Sequence, residues 1–370
     1  MNPVPVAFYA PLKSPRHPAP SGDRTMARLL LAALAKAGFE PDLATELRSL
    51  DKAGDLAVQE RLRAEGQREA AALVERYRAL DPGRRPRLWF TYHVYYKAPD
   101  WIGPQVADAL GIPYVIAEGS RARKRAEGPW AVGHRGAEAA LDRADAVFVM
   151  TAHDRPALEA ARPPAQLLIP FPPFLDADAG DPPPRRTGCA LLSVAMMREG
   201  DKLASYRILA EALNALADRA WTLDIVGDGE ARPVVERLFE HFGARVRFRG
   251  RIDEPEALRH AYEAADLFVW PAVNEAYGMV LLEAQARGCP VVAGAFGGVP
   301  EVVRDGETGL LATPGDPAAF AGAIRTLLAD PERRASMGMA ANRFVRDERS
   351  LARAAARLAQ ALRPLVLEAA

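Results

Sequence analysis

Residues Asn274 to Glu301, NEAYGMVLLEAQARGCPVVAGAFGGVPE, constrain this chain more than any other stretch. Two carboxylates, Glu275 and Glu283, stand with seven residues between them, just downstream of the apolar run Asp266 to Pro271, DLFVWP. The pattern predicts a strand, a short loop carrying Glu275, and a helix that opens near Gly278 and runs through Met279, Val280, Leu281 and Leu282. A helix start leaves backbone N–H groups without intrahelical partners at the positive end of the dipole, so a phosphate can settle on Gly278, Met279 and Val280. Gly278, lacking a side chain, lets it come close. Glu283 falls about one and a half turns further in, roughly 7 Å along the axis, where its carboxylate can accept hydrogen bonds from a ribose. Glu275 faces the region beyond the phosphates, where a sugar would lie. Taken alone, the two glutamates also fit a solvated helix carboxylate and a charge that favours the helix dipole.

The residues that follow add to this. Cys289 to Ala293, CPVVA, reads as a buried strand; AFGGVPEVV follows with Gly297 and Gly298 together, then DGETGLL with Gly306 and Gly309. The whole string resembles the retaining glycosyltransferases of family 4, the group 1 type, densely in the second half of the chain and thinly in the first. The resemblance implies an α/β fold of two Rossmann-like, doubly wound parallel-sheet domains facing across a cleft (GT-B), with a C-terminal helix packing back on the N-terminal domain. Residues 1–175 are then the acceptor-binding domain and 189–350 the nucleotide-sugar-binding domain. Residues 176–188, DADAGDPPPRRTG, rich in Pro, Asp and Gly with no apolar period, are the linker, and 351–370 form the returning helix.

Length and charge agree with two domains in one soluble chain. The 370 residues allow two or three domains at about 150 each. Lys plus Arg equals Asp plus Glu at 48 each, so no net field draws the chain to nucleic acid or acidic membranes. The two cysteines, Cys189 and Cys289, lie in apolar runs and fit free thiols of a reducing cytoplasm rather than a disulfide framework or a metal site. The start, MNPVPVAFYAPLK, has no basic region before a long apolar core, and no apolar run approaches roughly 18 residues. A cytoplasmic protein is expected.

Along the first half, strands are predicted at Val4 to Ala10, Pro86 to Tyr92, Tyr114 to Ala117 and Ala144 to Thr151, and a helix at Arg24 to Ala37 that Ser21 or Asp23 could cap. Residues 55 to 80 read as one or two surface helices. In the resembling family the first strand-to-helix loop carries a glycine pair near the donor phosphates and acceptor; Ser21-Gly22 stands there, with a plain helix-start turn as the other reading. His93 lies just past a strand end, where ligands of open α/β sheets collect, although a lone histidine there is also often structural. The family commonly places a histidine after the Tyr114 strand; this chain has Glu118, which could accept hydrogen bonds from sugar hydroxyls or act as a base if burial raised its pKa. The basic run Ser120 to Gly128, SRARKRAEG, reads as a solvated face or as a peripheral contact with anionic acceptors or lipid headgroups at the inner membrane.

In the second half, strand Cys189 to Met197, loop REGDK and a helix from Leu203 resemble the element in which an Arg and a Lys grip the donor diphosphate. Lys202 matches that lysine. Met196 and Met197 occupy the arginine's place, and Arg198 is the residue assigned its role. Gly227, in Val-Gly-Asp-Gly, resembles the nucleotide-domain turn; Gly-x-Gly without a third glycine is a poor dinucleotide fingerprint. Arg251 lies where the family's loop passes the base. The expected activity is transfer of a sugar, a hexose, from a nucleoside-diphosphate-sugar to a carbohydrate, lipid-linked or small-molecule hydroxyl. Lys202, Arg198 and the helix start would neutralise the leaving diphosphate with no metal and no cofactor. A non-catalytic sugar-nucleotide binder and another GT-B enzyme, a phosphorylase or epimerase, are the alternatives.

Overall fold

Runs such as VPVAFY and WFTYHV carry apolar residues on both faces, as strands covered by helices on each side must. In the computed structural model, which describes residues 3–19, 21–176 and 188–368, they form two parallel sheets in two units. One unit comprises Met1–Pro172 and Leu351–Ala370, the other Pro173–Ser350. The expected linker at 176–188 lies outside the described residues except for Asp176 and Gly188. No helix among the described residues is long and apolar enough to cross a membrane.

The first unit holds strands β1 (Val4–Tyr9), β2 (Phe39–Leu43), β3 (Trp89–Val94), β4 (Tyr114–Gly119), β5 (Ala146–Val149) and β6 (Leu167–Pro170) in the order β2-β1-β3-β4-β5-β6. All the pairings are parallel, with Tyr9 opposite Thr91 and Val94 opposite Gly119. The order reverses between β1 and β3, and such a reversal opens a crevice at the carboxyl ends of the strands. Ser21 Oγ accepts from the Arg24 N–H at 3.2 Å and so caps the helix Gly22–Lys36 that follows β1. The helix Leu351–Glu368 packs on it through an apolar stripe that buries Ala354, Ala355, Leu358, Leu362 and Val366, while Arg363 donates to the Ala37 carbonyl.

Residues 55 to 80 make a single helix, Leu56–Arg78, capped by Asp55. It is not only a surface element: Leu62, Gly66, Ala70, Leu73 and Tyr77 are buried, and a Cβ on Gly66 would come within 2.5 Å of the Trp101 side chain. Asp100, fully buried, accepts from Thr91 Oγ1 (2.6 Å), Tyr114 Oη (2.9 Å) and the N–H groups of Ile102 and Gly103 (both 2.8 Å), which ties β3 and β4 to the helix Gly103–Leu110. The basic run is not uniformly solvated either. Arg121 is buried against Glu138 and Asp142, and Arg125 stacks on Tyr96 at 5.4 Å; Arg123 and Lys124 remain exposed.

The second unit repeats the plan with β7 (Ala190–Val194), β8 (Thr222–Val226), β9 (Val246–Gly250), β10 (Leu267–Trp270), β11 (Val291–Gly294) and β12 (Gly309–Ala312) in the order β12-β11-β10-β7-β8-β9. The reversal lies between β7 and β10. The loop after β8 presses on the loop after β7: Met197 N donates to the Asp228 carbonyl and Ala231 N to the Met197 carbonyl, both at 2.9 Å. Only glycine fits this contact. A Cβ on Gly227, whose φ is +146°, would sit 1.9 Å from the Ala195 carbonyl oxygen, and one on Gly229 2.2 Å from that of Met197.

Gly227→Ala is therefore expected to lower the unfolding free energy of the second unit by at least about 1–3 kcal/mol, the usual cost of overpacking. Gly22→Ala, with open space around its Cβ, should change stability by no more than about 0.5 kcal/mol. Urea unfolding of the two variants beside the parent checks both; equal midpoints would contradict the packing.

Candidate functional site

In the second unit three consecutive residues of the loop after β10 bond to one helix, Asp201–Asn214, which follows β7. Val273 N donates to Ser205 Oγ at 3.0 Å, Asn274 Nδ2 to Asp201 Oδ1 at 2.9 Å, and Lys202 Nζ forms an ion pair with Glu275 Oε2. Lys202 lies in the first turn of that helix, with its ammonium 5.5 Å from the centre of the Trp270 ring. Both partners of the pair are partly open to solvent, at 24% and 20% side-chain exposure. The other side of the loop is held by the glycine pair. Gly298 N donates to the Ala276 carbonyl at 2.7 Å, and a Cβ on Gly297 would meet the Glu275 carbonyl oxygen at 2.5 Å.

The helix after the loop runs Met279–Ala286, with Gly278 at its start in left-handed backbone, φ +73°. Gly278, Met279 and Val280 thus bring their N–H groups to the carboxyl end of β10, beside the reversal in strand order. Glu283 lies on this helix, and Tyr262 Oη, from the helix Pro255–Ala264, donates to its Oε2 at 2.8 Å. Burial pushes the Glu283 carboxyl above its ordinary range, and the Tyr262 bond only partly opposes this.

In the first unit the reversal between β1 and β3 gathers a second charged group. His93 is the last residue but one of β3 and Glu118 the last but one of β4, both in left-handed backbone at φ +64° and +61°. Asp23 stands in the first turn of the helix after β1. His93 Nδ1 lies 3.2 Å from Asp23 Oδ1 and 3.6 Å from Glu118 Oε1. Burial opposes a charge on the ring, but Glu118 and the bond to Asp23 more than offset it and push the His93 pKa up to about 9. Burial also raises Glu118. Asp23 is desolvated too, yet its bond to His93 leaves it below the usual carboxylate range. Ser21 is occupied as the helix cap, and Gly22 is the first helical residue.

Residues 189–330 match the family model described as glycosyl transferases group 1. The second unit is a glycosyl transferases group 1 domain. A GDP-mannose-dependent alpha-(1-6)-phosphatidylinositol monomannoside mannosyltransferase of Mycolicibacterium smegmatis is 34% identical over 241 residues, 59% of this chain and 62% of that protein. A D-inositol 3-phosphate glycosyltransferase of Corynebacterium efficiens is 48% identical over 93 residues, 25% of this chain and 22% of that one. The chain thus spans less than two thirds of the length of these relatives. Sucrose-phosphate synthase from Thermosynechococcus elongatus superposes with a TM-score of 0.75 at 22% identity, covering 99% of this chain and 100% of its own. Anabaena HepE, solved with UDP, gives 0.72 at 18% identity, covering 97% and 99%. These likenesses show the GT-B fold.

Within the group 1 domain the sequence-selected residues separate. Lys202 and Glu275 meet, and Gly278, Met279, Val280 and Glu283 share the helix that follows. Arg198 does not join them: it is exposed on the loop, and among the described residues its guanidinium forms no ion pair, while its carbonyl accepts from Leu203 N at 3.0 Å. Arg251 is exposed after β9 and bonds Asp253 at 2.6 Å. Gly227 has its N–H taken by the Gly250 carbonyl at 2.9 Å and its α-carbon against Ala195, so its visible work is packing. Sequence reasoning passed over Asp201, Ser205, Asn274, Tyr262 and, as a partner of His93, Asp23. Short polar residues beside a matched lysine or glutamate were the available signal. No three His, Cys, Asp or Glu side chains among the described residues group as a metal site would require.

The His93 cluster sets a pH dependence. Its folded pKa lies above the ordinary 6.5, so the stabilisation it brings is complete below about pH 6.5 and is lost as pH rises through about 9. Ring-resonance NMR should place the His93 midpoint near 9 in the parent and well below it in Glu118→Gln. Denaturant unfolding at pH 6 and pH 9 should show a larger loss with rising pH in the parent than in the variant. A midpoint near 6.5 in the parent would contradict the cluster.

Proposed function

We propose that this protein is a retaining glycosyltransferase that moves a hexose from a nucleoside-diphosphate-sugar to an acceptor hydroxyl. The observation that carries the reading is the Lys202–Glu275 pair beside the helix start at Gly278, held at the strand-order reversal of a group 1 domain. In such a transfer the anomeric carbon–oxygen bond to the diphosphate breaks, and negative charge grows on the departing phosphate. The groups that can meet that charge are the Lys202 ammonium and the N–H groups of Gly278, Met279 and Val280, a fixed positive set requiring no metal. The relative from Mycolicibacterium smegmatis is named for a GDP-mannose donor, and the HepE structures hold UDP or UDP-glucose; both kinds of name support a nucleoside-diphosphate-sugar here.

Roles follow from the order of residues along the loop and helix. Glu283, steadied by Tyr262, serves the ribose; the helix start and Lys202 serve the diphosphate; Glu275 serves the hydroxyls of the sugar and the positive charge that develops on its ring. The ion pair keeps Lys202 and Glu275 side by side before any donor arrives, so neither side chain must search for its place.

Lys202→Ala and Glu275→Gln are each expected to lower kcat by about a hundredfold to a thousandfold, the usual effect of removing one donor aimed at developing charge, with the unfolding midpoint nearly unchanged. The assay follows release of nucleoside diphosphate from UDP- and GDP-linked hexoses, with and without EDTA. Parent activity in either variant would overturn the assignment, and activity abolished by EDTA would overturn its metal independence.

A further inference from the structure

Ser205 is wholly buried in the helix Asp201–Asn214, three positions after Lys202 and so on the same helix face. Its hydroxyl makes two bonds of opposite sense. It donates to the Asp201 carbonyl at 2.9 Å and accepts from Val273 N at 3.0 Å. The first is the back-bond common to serine inside a helix, and it does not stabilise the helix. The second reaches into a tight turn of the loop after β10, closed where Glu275 N donates to the Ala272 carbonyl at 3.2 Å. Ala272 and Asn274, on either side of Val273, are both left-handed, at φ +57° and +47°. Outside helix and strand, Val273 has no ladder to satisfy its N–H, and the Ser205 hydroxyl meets it. One helix face thus carries both the ammonium that pairs with Glu275 and the hydroxyl that fixes the turn on which Glu275 stands.

We infer that Ser205 is a positioning residue for the transfer and acts through Glu275: its bond to Val273 N sets where the Glu275 carboxylate stands against the sugar, and leaves the hold on the nucleotide unchanged. The inference deepens the transferase reading above and rests on it. A hydroxyl is needed because the position must donate and accept at once. Alanine suits the helix but leaves the Val273 N–H without a partner. Lys202 keeps its own place in the helix, and the N–H groups of Gly278, Met279 and Val280 belong to the next element, so neither loses its support with the Ser205 hydroxyl. The loss falls on the step in which the sugar's bond to the diphosphate breaks, where Glu275 must already be in place.

The test compares Ser205→Ala and Ser205→Thr with the parent, each alone and combined with Glu275→Gln, in the whole chain. Ser205→Ala should lower kcat by about tenfold or more, while UDP and GDP bind within about twofold of their parent affinity. Ser205→Thr, which keeps the hydroxyl, should recover most of kcat. On the Glu275→Gln background the alanine change should cost less than about threefold, because two residues that act as a unit are not additive. Hydrogen exchange across residues 272–275 gives a readout that needs no activity, and it should quicken by about tenfold in Ser205→Ala alone. Parent kcat or unchanged exchange in Ser205→Ala, a nucleotide affinity that falls as far as kcat, a full loss on the Glu275→Gln background, or a folded Ser205→Thr as slow as Ser205→Ala would each overturn the inference. The two readings fail separately. A parent that binds neither UDP nor GDP and releases nucleoside diphosphate from no donor overturns the transferase reading and this role with it; a parent that binds and transfers, with Ser205→Ala at the same rate, overturns the role of Ser205 alone.

Discussion

The loop between β10 and its helix is held from two sides, and the candidate site depends on that clamp. On one side residues 273, 274 and 275 each bond to the first turns of the helix after β7. On the other, Gly298 N donates to the Ala276 carbonyl, and Gly297 lies so close that a single added carbon would collide with the Glu275 carbonyl. An ammonium and a carboxylate on long side chains lose rotamer freedom when paired, and at a surface such pairs are worth little. Here the backbone carrying each partner is already fixed, so the ion pair need not supply the order that it displays.

The same logic explains why glycines cluster downstream of the glutamates. Gly297 is not needed for flexibility at a hinge; it removes the side chain that would hold two loops apart. Gly227 and Gly229 do the corresponding work between the loops after β7 and β8, where Ala195 and Met197 carbonyls occupy the space of their absent Cβ atoms. A change at Gly227 or Gly229 would act first on the loop after β7, which leads to Lys202, and a change at Gly297 on the loop that carries Glu275.

How much of this was legible depended on whether the cause was local. The strands at Val4, Trp89, Tyr114, Ala190, Thr222 and Leu267 are short apolar runs between breakers, and the sequence shows them directly. The edge strand Phe39–Leu43, FEPDL, has too few apolar residues to stand out and is defined by pairing with β1. Strand Gly309–Ala312 is only four residues long, begins with glycine and is defined by its pairing with β11. Lys202 and Glu275 could be chosen by resemblance, but their meeting across 73 positions is a product of the fold. Arg198 shows the limit of the method, since counting along a loop fixes a residue's place in sequence and leaves the direction of its side chain open. His93 and Glu118 lie 25 positions apart in sequence, and only the parallel register of β3 and β4 makes them neighbours.

Backbone strain points to the same places by an independent route. Among the described residues four that are not glycine adopt left-handed backbone, His93, Glu118, Ala272 and Asn274. Each such residue costs on the order of 1 kcal/mol, and neither a helix nor a strand requires it there. All four stand at, or just after, the carboxyl ends of β3, β4 and β10, next to the points where strand order reverses. Turns elsewhere in the chain that need this conformation use glycine, as at Gly38, Gly111, Gly200 and Gly288. At His93, Glu118 and Asn274 a glycine would relieve the strain but delete the side chain that bonds. The polar group and the unfavourable conformation are kept together, which is the pattern of positions held for what their side chains bind.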